Sequence, residues 1–276
     1  MKVGLIGVGN MGSAIIKGAF QSGFLKPYET MVYDVNAQQI TNLTDSYPVG
    51  VAQSNMQLAK ECDCLILAVK PIYLRGVLEE IQKFVRNKSL ISIVAGWSME
   101  MLLDMLGGKE IGAQVLRVMP NMPAMVSMGY TALCDENTFS KPMLKWAKEL
   151  FSNLGMVQVL PERLFDAVVA VAGSSPAYVF MLIEAMADGA VKLGMPRPFA
   201  IQAAAQAVFG SAKMLLDTNT HPAILKDNIC SPGGTTIEAV QVLDKNGFRG
   251  IVMEAMDVCA QKSHKMSACQ DRRNKA

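Results

Sequence analysis

Residues 1–20 read MKVGLIGVGNMGSAIIKGAF, and this stretch decides the fold of the chain. It begins with an apolar run between Val3 and Val8, rich in β-branched residues and typical of a strand buried on both faces. Glycines follow with the spacing G-x-G-x-x-G, and the next residues are apolar at helical intervals. A strand, a glycine turn and a helix in this order place backbone N–H groups and the positive end of a helix dipole beside a bound anion. The stretch therefore predicts a dinucleotide pyrophosphate site on Gly7, Val8, Gly9, Asn10, Met11 and Gly12.

An acid stands at the end of the second predicted strand, residues 30–33. Asp34 follows Gly12 by 22 residues, close to the interval of about 20 residues in dinucleotide-binding folds. A carboxylate at this place accepts hydrogen bonds from the adenosine ribose hydroxyls and repels a 2′-phosphate. Residues 35–39 contain no Arg or Lys to hold that phosphate. We therefore expect NADH to be favoured over NADPH, with one alternative left open, that Asp34 only caps the helix beginning near Asn36.

The composition indicates which classes of protein the chain can belong to. The chain has 276 residues, of which 51% are hydrophobic and 18% charged, so it can bury a large core. A net charge of +2 gives no reason to expect a nucleic-acid or membrane-surface partner. We expect no apolar run to reach the roughly 20 residues of a membrane span. The glycine turn also begins too early for a signal peptide, so we expect a cytoplasmic protein.

Cysteine and histidine usage gives no sign of a metal site. The six cysteines, at positions 62, 64, 134, 230, 259 and 269, show no paired C-x-x-C spacing. We interpret them as reduced and mostly structural. His221 and His264 are the only histidines, which leaves little material for zinc binding, and we predict no metal.

Predicted strands and helices alternate as far as residue 160, and helical periodicity alone follows. Alternation is typical of a doubly wound sheet covered by helices. The sequence therefore predicts an α/β protein with an N-terminal Rossmann domain, residues 1–161, and an all-α C-terminal domain, residues 162–276.

Other candidates for cofactor contacts lie where predicted elements begin or end. The carboxyl ends of parallel strands line the ligand crevice, which places the end of the strand at residues 63–69 near the nicotinamide. Lys70 has an alternative interpretation as an exposed surface lysine. Ser54 is a predicted N-cap, and Asn55 could reach the adenosine side of the cofactor. The segment Pro120–Pro123 predicts a fixed turn that shapes a site wall. The candidates at the strand end are Ala68, Val69, Lys70 and Pro71.

The C-terminal half is rich in small and apolar residues, as in residues 200–209, AIQAAAQAVF. A helix that is apolar around most of its circumference must be buried from more than one side. Intertwined helices of two subunits would bury it, and we expect a homodimer or a larger assembly. The polar tail, residues 261–275, is expected to be a solvated, frayed terminus.

Two loops of this half differ from simple helix connections. Residues 172–178 read AGSSPAY and residues 229–238 read ICSPGGTTIE, each with hydroxyl residues and a proline before a helix. A Gly-Gly-Thr-Thr turn offers backbone N–H groups at a helix start, which suits a carboxylate. The alternative is that both loops are only N-caps.

Together, five segments resemble the pyrroline-5-carboxylate reductase family, in order along residues 2–265. They are GVGNMG (7–12), AVKP (68–71), RVMPNMP (117–123), AGSSPAY (172–178) and CSPGGTTIEA (230–239). The SPGGTT segment is far more specific than the glycine fingerprint.

The resemblance implies hydride transfer from NAD(P)H to the C=N bond of 1-pyrroline-5-carboxylate, giving L-proline in the last step of proline biosynthesis. It implies a helical dimerisation domain, often assembled further into a decamer of five dimers. Thr236 matches the active-site threonine, whose hydroxyl would hydrogen-bond the ring nitrogen. Asn228 matches a position that contacts the cofactor across the dimer, and Lys70 one beside the nicotinamide ribose. The positions implied for the substrate are Gly233, Gly234, Thr235, Thr236 and Ser175.

At two places the sequence departs from the family pattern, and there the family's residue roles are not assigned to this chain. Some members carry an acid just before His-Pro, whereas Asn219-Thr220 precedes His221 here, so this position receives no substrate role. Many members have a basic or hydroxyl-rich turn after the second strand for NADPH, whereas this chain has Asp34. A β-hydroxyacid dehydrogenase-like reductase and a non-enzymatic dinucleotide-sensing protein remain as alternatives, although Lys192 and Lys213 lack the sequence context of a catalytic lysine.

Overall fold

The computed structural model describes the backbone of residues 1–275 and their side chains, except those of Lys109 and residues 269–275. The strands of this range are β1 Val3–Ile6, β2 Thr30–Tyr33, β3 Gly50–Val51, β4 Cys64–Leu67, β5 Ser89–Ser92, β6 Gln114–Pro120, β7 Gly129–Cys134 and β8 Gly155–Leu160. The helices are α1 Asn10–Gln21, α2 Ala37–Thr44, α3 Asn55–Glu61, α4 Pro71–Ile81, α5 Met99–Met105, α6 Lys141–Ser152, α7 Phe165–Val168, α8 Ser175–Lys192, α9 Arg197–Thr218, α10 Pro222–Ile229, α11 Thr235–Lys245 and α12 Phe248–Lys275.

The strands form a single sheet in the order β3-β2-β1-β4-β5-β6-β7-β8. β1 runs parallel to both neighbours, and Val3 pairs with Thr30 of β2 and with Cys64 of β4. The strand order reverses between β1 and β4, which is the point where ligands bind in open α/β sheets. The predicted Rossmann architecture is confirmed.

One strand departs from the purely parallel sheet that the alternation suggests. β7 is antiparallel to β6, with Val118 opposite Leu133, and β8 is again parallel to β7. The connection from β6 to β7 is a short 3-10 helix, Met122–Val126, followed by Ser127 in the left-handed region. A connection of this length is too short for the crossover that a parallel pair requires, so the chain turns back.

Helices cover both faces of the sheet, so alternate residues of the central strands enter two different cores. In β4, Leu65 and Leu67 pack in one core, whereas Cys64 and Ile66 pack in the other. All four residues are buried. Burial on both faces explains why these strands are continuously apolar in the sequence.

The chain forms two compact units, Met1–Gly173 continued from Cys259 onward, and Ser174–Val258. The last strand ends at Leu160, so the change to helices alone occurs at the predicted place. Packing, however, assigns residues 162–173 to the first unit, because Phe165, Val168 and Ala172 are buried in one of its two cores. The first compact unit therefore extends to Gly173.

The second unit consists of helices with exposed apolar side chains, including Phe180, Phe199 and Phe209. Two helical runs, Glu162–Lys192 and Arg197–Thr218, are long and apolar enough to cross a membrane by length and composition. The expectation that no run meets this test was wrong, because alanine, valine and methionine raise the mean hydropathy without a leucine-rich stretch. Large exposed apolar faces of this kind mark an interaction surface.

The C-terminal tail is helical and not frayed. α12 extends to Lys275, separated from α11 by Gly247 in the left-handed region. The buried Ser263 donates its hydroxyl to Asp166 of α7 at 2.6 Å. This contact fixes a segment that is polar in the sequence. The five cysteines whose side chains are described are free thiols, and the side chain of Cys269 lies outside the described residues.

Candidate active site

The glycine turn between β1 and α1 is shaped for an anion. Gly7 has φ +96°, and a Cβ there would lie 2.6 Å from the carbonyl oxygen of Ala68. Gly12 is equally constrained, since a Cβ would lie 2.3 Å from the Gly7 carbonyl oxygen. A Cβ on Gly9, by contrast, would meet nothing within 4 Å. Gly9 is also the N-cap of α1 and has no side chain to satisfy the first N–H groups of the helix. This open cradle at a helix start fits a dinucleotide pyrophosphate.

Asp34 joins the end of β2 to this turn. Its Oδ2 accepts a hydrogen bond from the backbone N–H of Val8 at 2.7 Å, and its Oδ1 accepts one from Asn36 at 2.8 Å. The N-cap of α2 is Asn36, whose side chain accepts from the Gln38 N–H. The interpretation of Asp34 as only a helix cap was therefore wrong. Each carboxylate oxygen keeps a second lone pair, which leaves it able to accept a hydroxyl.

The strand-end residues after β4 lie beside the glycine turn. The Ala68 N–H donates to the Ile6 carbonyl at 2.8 Å, which continues the β1–β4 ladder to the edge of the sheet. Lys70 is the exposed N-cap residue of α4, and Pro71 is the first residue of that helix. The Pro71 carbonyl accepts from the Trp97 indole at 3.2 Å. Gly7 and Ala68 to Pro71 therefore share one edge, as the sequence predicts.

Asn55 is the first residue of α3 and is buried. Its Nδ2 donates to Glu80 at 2.8 Å, whereas its Oδ1 is buried and has no hydrogen-bond partner. A buried acceptor without a partner is costly, so a ligand donor at this point would remove that cost. Ser54 caps α3 by accepting from the Gln57 N–H at 3.2 Å, as predicted.

A buried ion pair in the first unit was missed by the sequence analysis. Arg117 of β6 donates to Glu162 at 2.7 Å, and its guanidinium lies over the Phe165 ring, 4.5 Å from the centroid. The same Glu162 oxygen accepts from the Met99 N–H at the start of α5. The arginine inside the apolar strand QVLRVMP was the available signal, because a charge there requires a partner.

The Glu162 carboxylate also belongs to a group that could in principle hold a metal ion. Ligand atoms of Cys134, Glu136 and Glu162 lie within 4.8 Å of one another. Glu136 already accepts from the Glu162 N–H at 2.6 Å. Burial raises the pKa of the Cys134 thiol to about 12, so the thiolate that binds metals is disfavoured. The group is therefore explained by its internal hydrogen bonds.

In the second unit, the Gly-Gly-Thr-Thr segment forms a turn at the start of α11. Gly233 has φ +67°, and the Gly234 N–H donates to the Ser231 carbonyl at 3.0 Å. Gly234 is the N-cap of α11 and provides no side-chain cap. The first N–H groups of α11 therefore remain suited to an anion. Thr235 and Thr236 are the first two residues of this helix, and Thr236 is half-buried.

The other hydroxyl-rich loop leads into α8. Ser174 occupies the N-cap position without a side-chain cap hydrogen bond, and Ser175 is the half-buried first residue of the helix. Neither α8 nor α11 is capped by a side chain, so N-capping does not explain either loop. Asn228 lies in the last turn of α10 and is exposed.

Comparisons with known proteins cover nearly the whole chain. Residues 162–266 match the family described as "Pyrroline-5-carboxylate reductase dimerisation". Residues 2–96 match the family described as "NADP oxidoreductase coenzyme F420-dependent". A pyrroline-5-carboxylate reductase of Escherichia coli is 45% identical over 96% of this chain and 98% of its own length. One of Methanosarcina acetivorans is 40% identical over 96% and 97%. The crystal structure of a Plasmodium falciparum pyrroline carboxylate reductase with NADP bound superposes with a TM-score of 0.88, at 31% identity over 97% of this chain and 98% of that one.

Proposed function

This chain belongs to the pyrroline-5-carboxylate reductase family, and we propose that it reduces 1-pyrroline-5-carboxylate to L-proline, the last step of proline biosynthesis. The observation that carries this conclusion is the 45% identity to the Escherichia coli reductase over 96% of the chain. The protein is accordingly an oxidoreductase that uses a nicotinamide dinucleotide.

The cofactor would bind at the edge where β1 and β4 end. The open space above Gly9 and the uncapped start of α1 support a pyrophosphate there. The unpartnered Oδ1 of Asn55 would receive a donor from the adenosine side. When bound, the reduced nicotinamide supplies the hydride. The residues proposed to contact the cofactor are Gly7, Val8, Gly9, Asn10, Met11, Gly12, Asp34, Asn55, Ala68, Val69, Lys70, Pro71 and, across a dimer, Asn228.

We propose NADH as the preferred cofactor. Asp34 is held beside the glycine turn by the Val8 N–H, so its negative charge would face the ribose. A 2′-phosphate would meet that charge with no Arg or Lys in residues 35–39 to balance it.

The substrate carboxylate would be held by backbone N–H groups of Gly233, Gly234 and Thr235, with Ser175 as a further contact. The left-handed Gly233 and the uncapped start of α11 support this assignment. Thr236 would act as the catalytic residue, its hydroxyl donating to the ring nitrogen or relaying a proton to it. A protonated imine is already electrophilic, so this chain needs to align the imine and does not require a strong acid.

The protein self-associates through its helical half, which matches a dimerisation family. We propose a homodimer, assembled further into a decamer of five dimers, located in the cytoplasm. The exposed apolar faces of α8 and α9 support such an interface.

An assay of NADH oxidation with 1-pyrroline-5-carboxylate tests the proposal, with proline identified by mass spectrometry. We expect stoichiometric proline formation. Folded protein that oxidises neither NADH nor NADPH with this substrate would overturn the proposed function.

A further inference from the structure

The side chain of Asn121 connects two distant parts of the first unit. Asn121 follows the last residue of β6 and is 8% exposed. Its Nδ2 donates to the Ala172 carbonyl at 3.0 Å, and its Oδ1 accepts from the Tyr130 N–H at 2.8 Å. Ala172 belongs to a π-helical turn, Val169–Gly173, that immediately precedes the hydroxyl-rich loop at Ser174. Both ends of the amide are therefore engaged.

The Tyr130 N–H and the Ala172 carbonyl both depend on the Asn121 side chain for a hydrogen-bond partner. The β6–β7 ladder ends where Pro120 faces Thr131, so Tyr130 lies one position beyond it. The Asn121 amide oxygen supplies the acceptor that the ladder no longer provides. In a π-helix the donor to the Ala172 carbonyl would be Ala177, but its N–H donates to the Ser174 carbonyl at 3.1 Å. In a continuous α-helix the donor would be the residue four positions later. That residue is Pro176, which has no N–H. The Asn121 Nδ2 supplies the missing donor.

We infer that Asn121 is a positioning residue for substrate binding. It fixes the Ala172 peptide to the carboxyl end of β6, and the chain from this peptide reaches Ser175 within three residues. Turns of π-helix occur frequently at functional sites, and here the turn ends at the start of α8. Loss of the Asn121–Ala172 bond would displace Ser175 and weaken substrate binding without altering the glycine turn. The inference rests on the proposed substrate contact of Ser175.

Asn121→Asp tests this role with little change in shape. The carboxylate keeps an oxygen for the Tyr130 N–H but cannot donate to the Ala172 carbonyl. We expect KM for 1-pyrroline-5-carboxylate to rise by about tenfold, equivalent to ~1.4 kcal/mol. The dissociation constant of NADH, measured by fluorescence, should stay within about twofold of the wild-type value.

Asn137→Asp is the matched control. Asn137 follows β7, its Nδ2 donates to the Cys134 carbonyl at 2.8 Å, and its Oδ1 accepts from the Phe139 N–H at 3.0 Å. This variant loses the same kind of bond at a loop that does not lead to Ser175. Its KM for the substrate should match that of the wild type.

A second variant tests the cause of the change in KM. Pro176→Ala restores an N–H that can donate to the Ala172 carbonyl, so the double variant N121D/P176A should recover KM to within about threefold of P176A alone. An unchanged KM in N121D, a parallel loss of NADH affinity, or no recovery in the double variant would each overturn the inference. Wild-type protein without any turnover would instead refute the proposed function.

Discussion

The Val8 N–H donates to the Asp34 carboxylate at 2.7 Å, so the glycine turn is attached to the end of the neighbouring strand. The Gly7 N–H makes a second attachment, to the Tyr33 carbonyl at 2.9 Å. The residue proposed to select the cofactor therefore also fixes the loop proposed to hold its pyrophosphate.

Asp34→Asn should shift cofactor preference. Removing the negative charge should raise the kcat/KM ratio of NADPH to NADH by about tenfold, or ~1.4 kcal/mol. Steady-state kinetics with both cofactors measures the ratio, and Asp45→Asn, at an exposed acid after α2, should leave it unchanged. A wild-type enzyme that strongly prefers NADPH would contradict the proposed role of Asp34.

Thr236→Ala should lower kcat because it removes the hydroxyl proposed to orient the imine nitrogen. A positioned donor of this kind contributes at least about a hundredfold. Thr236→Ser keeps the hydroxyl and should retain most of the activity. Single-turnover rates, with NADH affinity measured alongside, test this prediction, and undiminished turnover in T236A would remove the residue from the mechanism.

Removing one partner of the Arg117–Glu162 pair should strongly destabilise the fold. Their side chains are 6% and 23% exposed, so removing the arginine leaves a largely buried carboxylate without its cation. Arg117→Met should cost about 3 kcal/mol in the free energy of unfolding, measured by urea denaturation. Lys213→Met removes one partner of an exposed pair with Asp217 and should cost less than about 1 kcal/mol. Equal costs in the two variants would argue against this account.

The apolar faces of the helical unit should be buried by a second copy of the chain. Light scattering should give a mass of at least twice the 29.9 kDa of one chain. Phe180, on α8, is 63% exposed in the single chain, and Phe180→Asp should reduce the mass by placing a charge in the interface. Tyr28→Asp, at an exposed aromatic residue of the first unit, serves as the control. A monomeric wild-type protein at micromolar concentration would refute the expected assembly.

Stability should fall at alkaline pH because the folded chain keeps thiol protons that the unfolded chain releases. Burial raises the pKa of Cys62 to about 11, whereas an unfolded cysteine titrates near about 8.5. The contribution of the buried Cys62 thiol to the free energy of unfolding is complete below about pH 8.5 and is lost as the pH rises to about 11. Urea denaturation across this range should show the decline, and Cys62→Ala should reduce its slope. An identical slope in both proteins would show that other groups cause the loss.

Features set by neighbouring residues could be predicted from the sequence. The strand, glycine turn and helix at residues 1–20, and the N-cap Ser54, depend on local spacing, and the structure has them as predicted. Contacts such as Arg117 with Glu162, and Asn121 with Ala172, could not be predicted, because their partners are 45 and 51 residues apart. The antiparallel direction of β7 could not be predicted either, because it depends on how β7 pairs with β6, and local periodicity does not specify strand pairing.

The functional alternatives were decided by similarity along the whole chain. A hydroxyacid dehydrogenase-like reductase shares the Rossmann layout, but residues 162–266 match the pyrroline-5-carboxylate reductase dimerisation family. A non-enzymatic dinucleotide sensor is likewise not supported by relatives that are reductases over nearly their full length.

The return of α12 to the first unit affects the order of events during protein synthesis. Domains generally fold as units, N-terminal first, while the ribosome is still translating. Here the unit that begins at Met1 includes the segment from Cys259 onward, which is synthesised after the whole of Ser174–Val258. The nascent chain must therefore hold an incomplete nucleotide-binding unit while the second unit is synthesised, and the Asp166–Ser263 hydrogen bond can form only once residue 263 has been added.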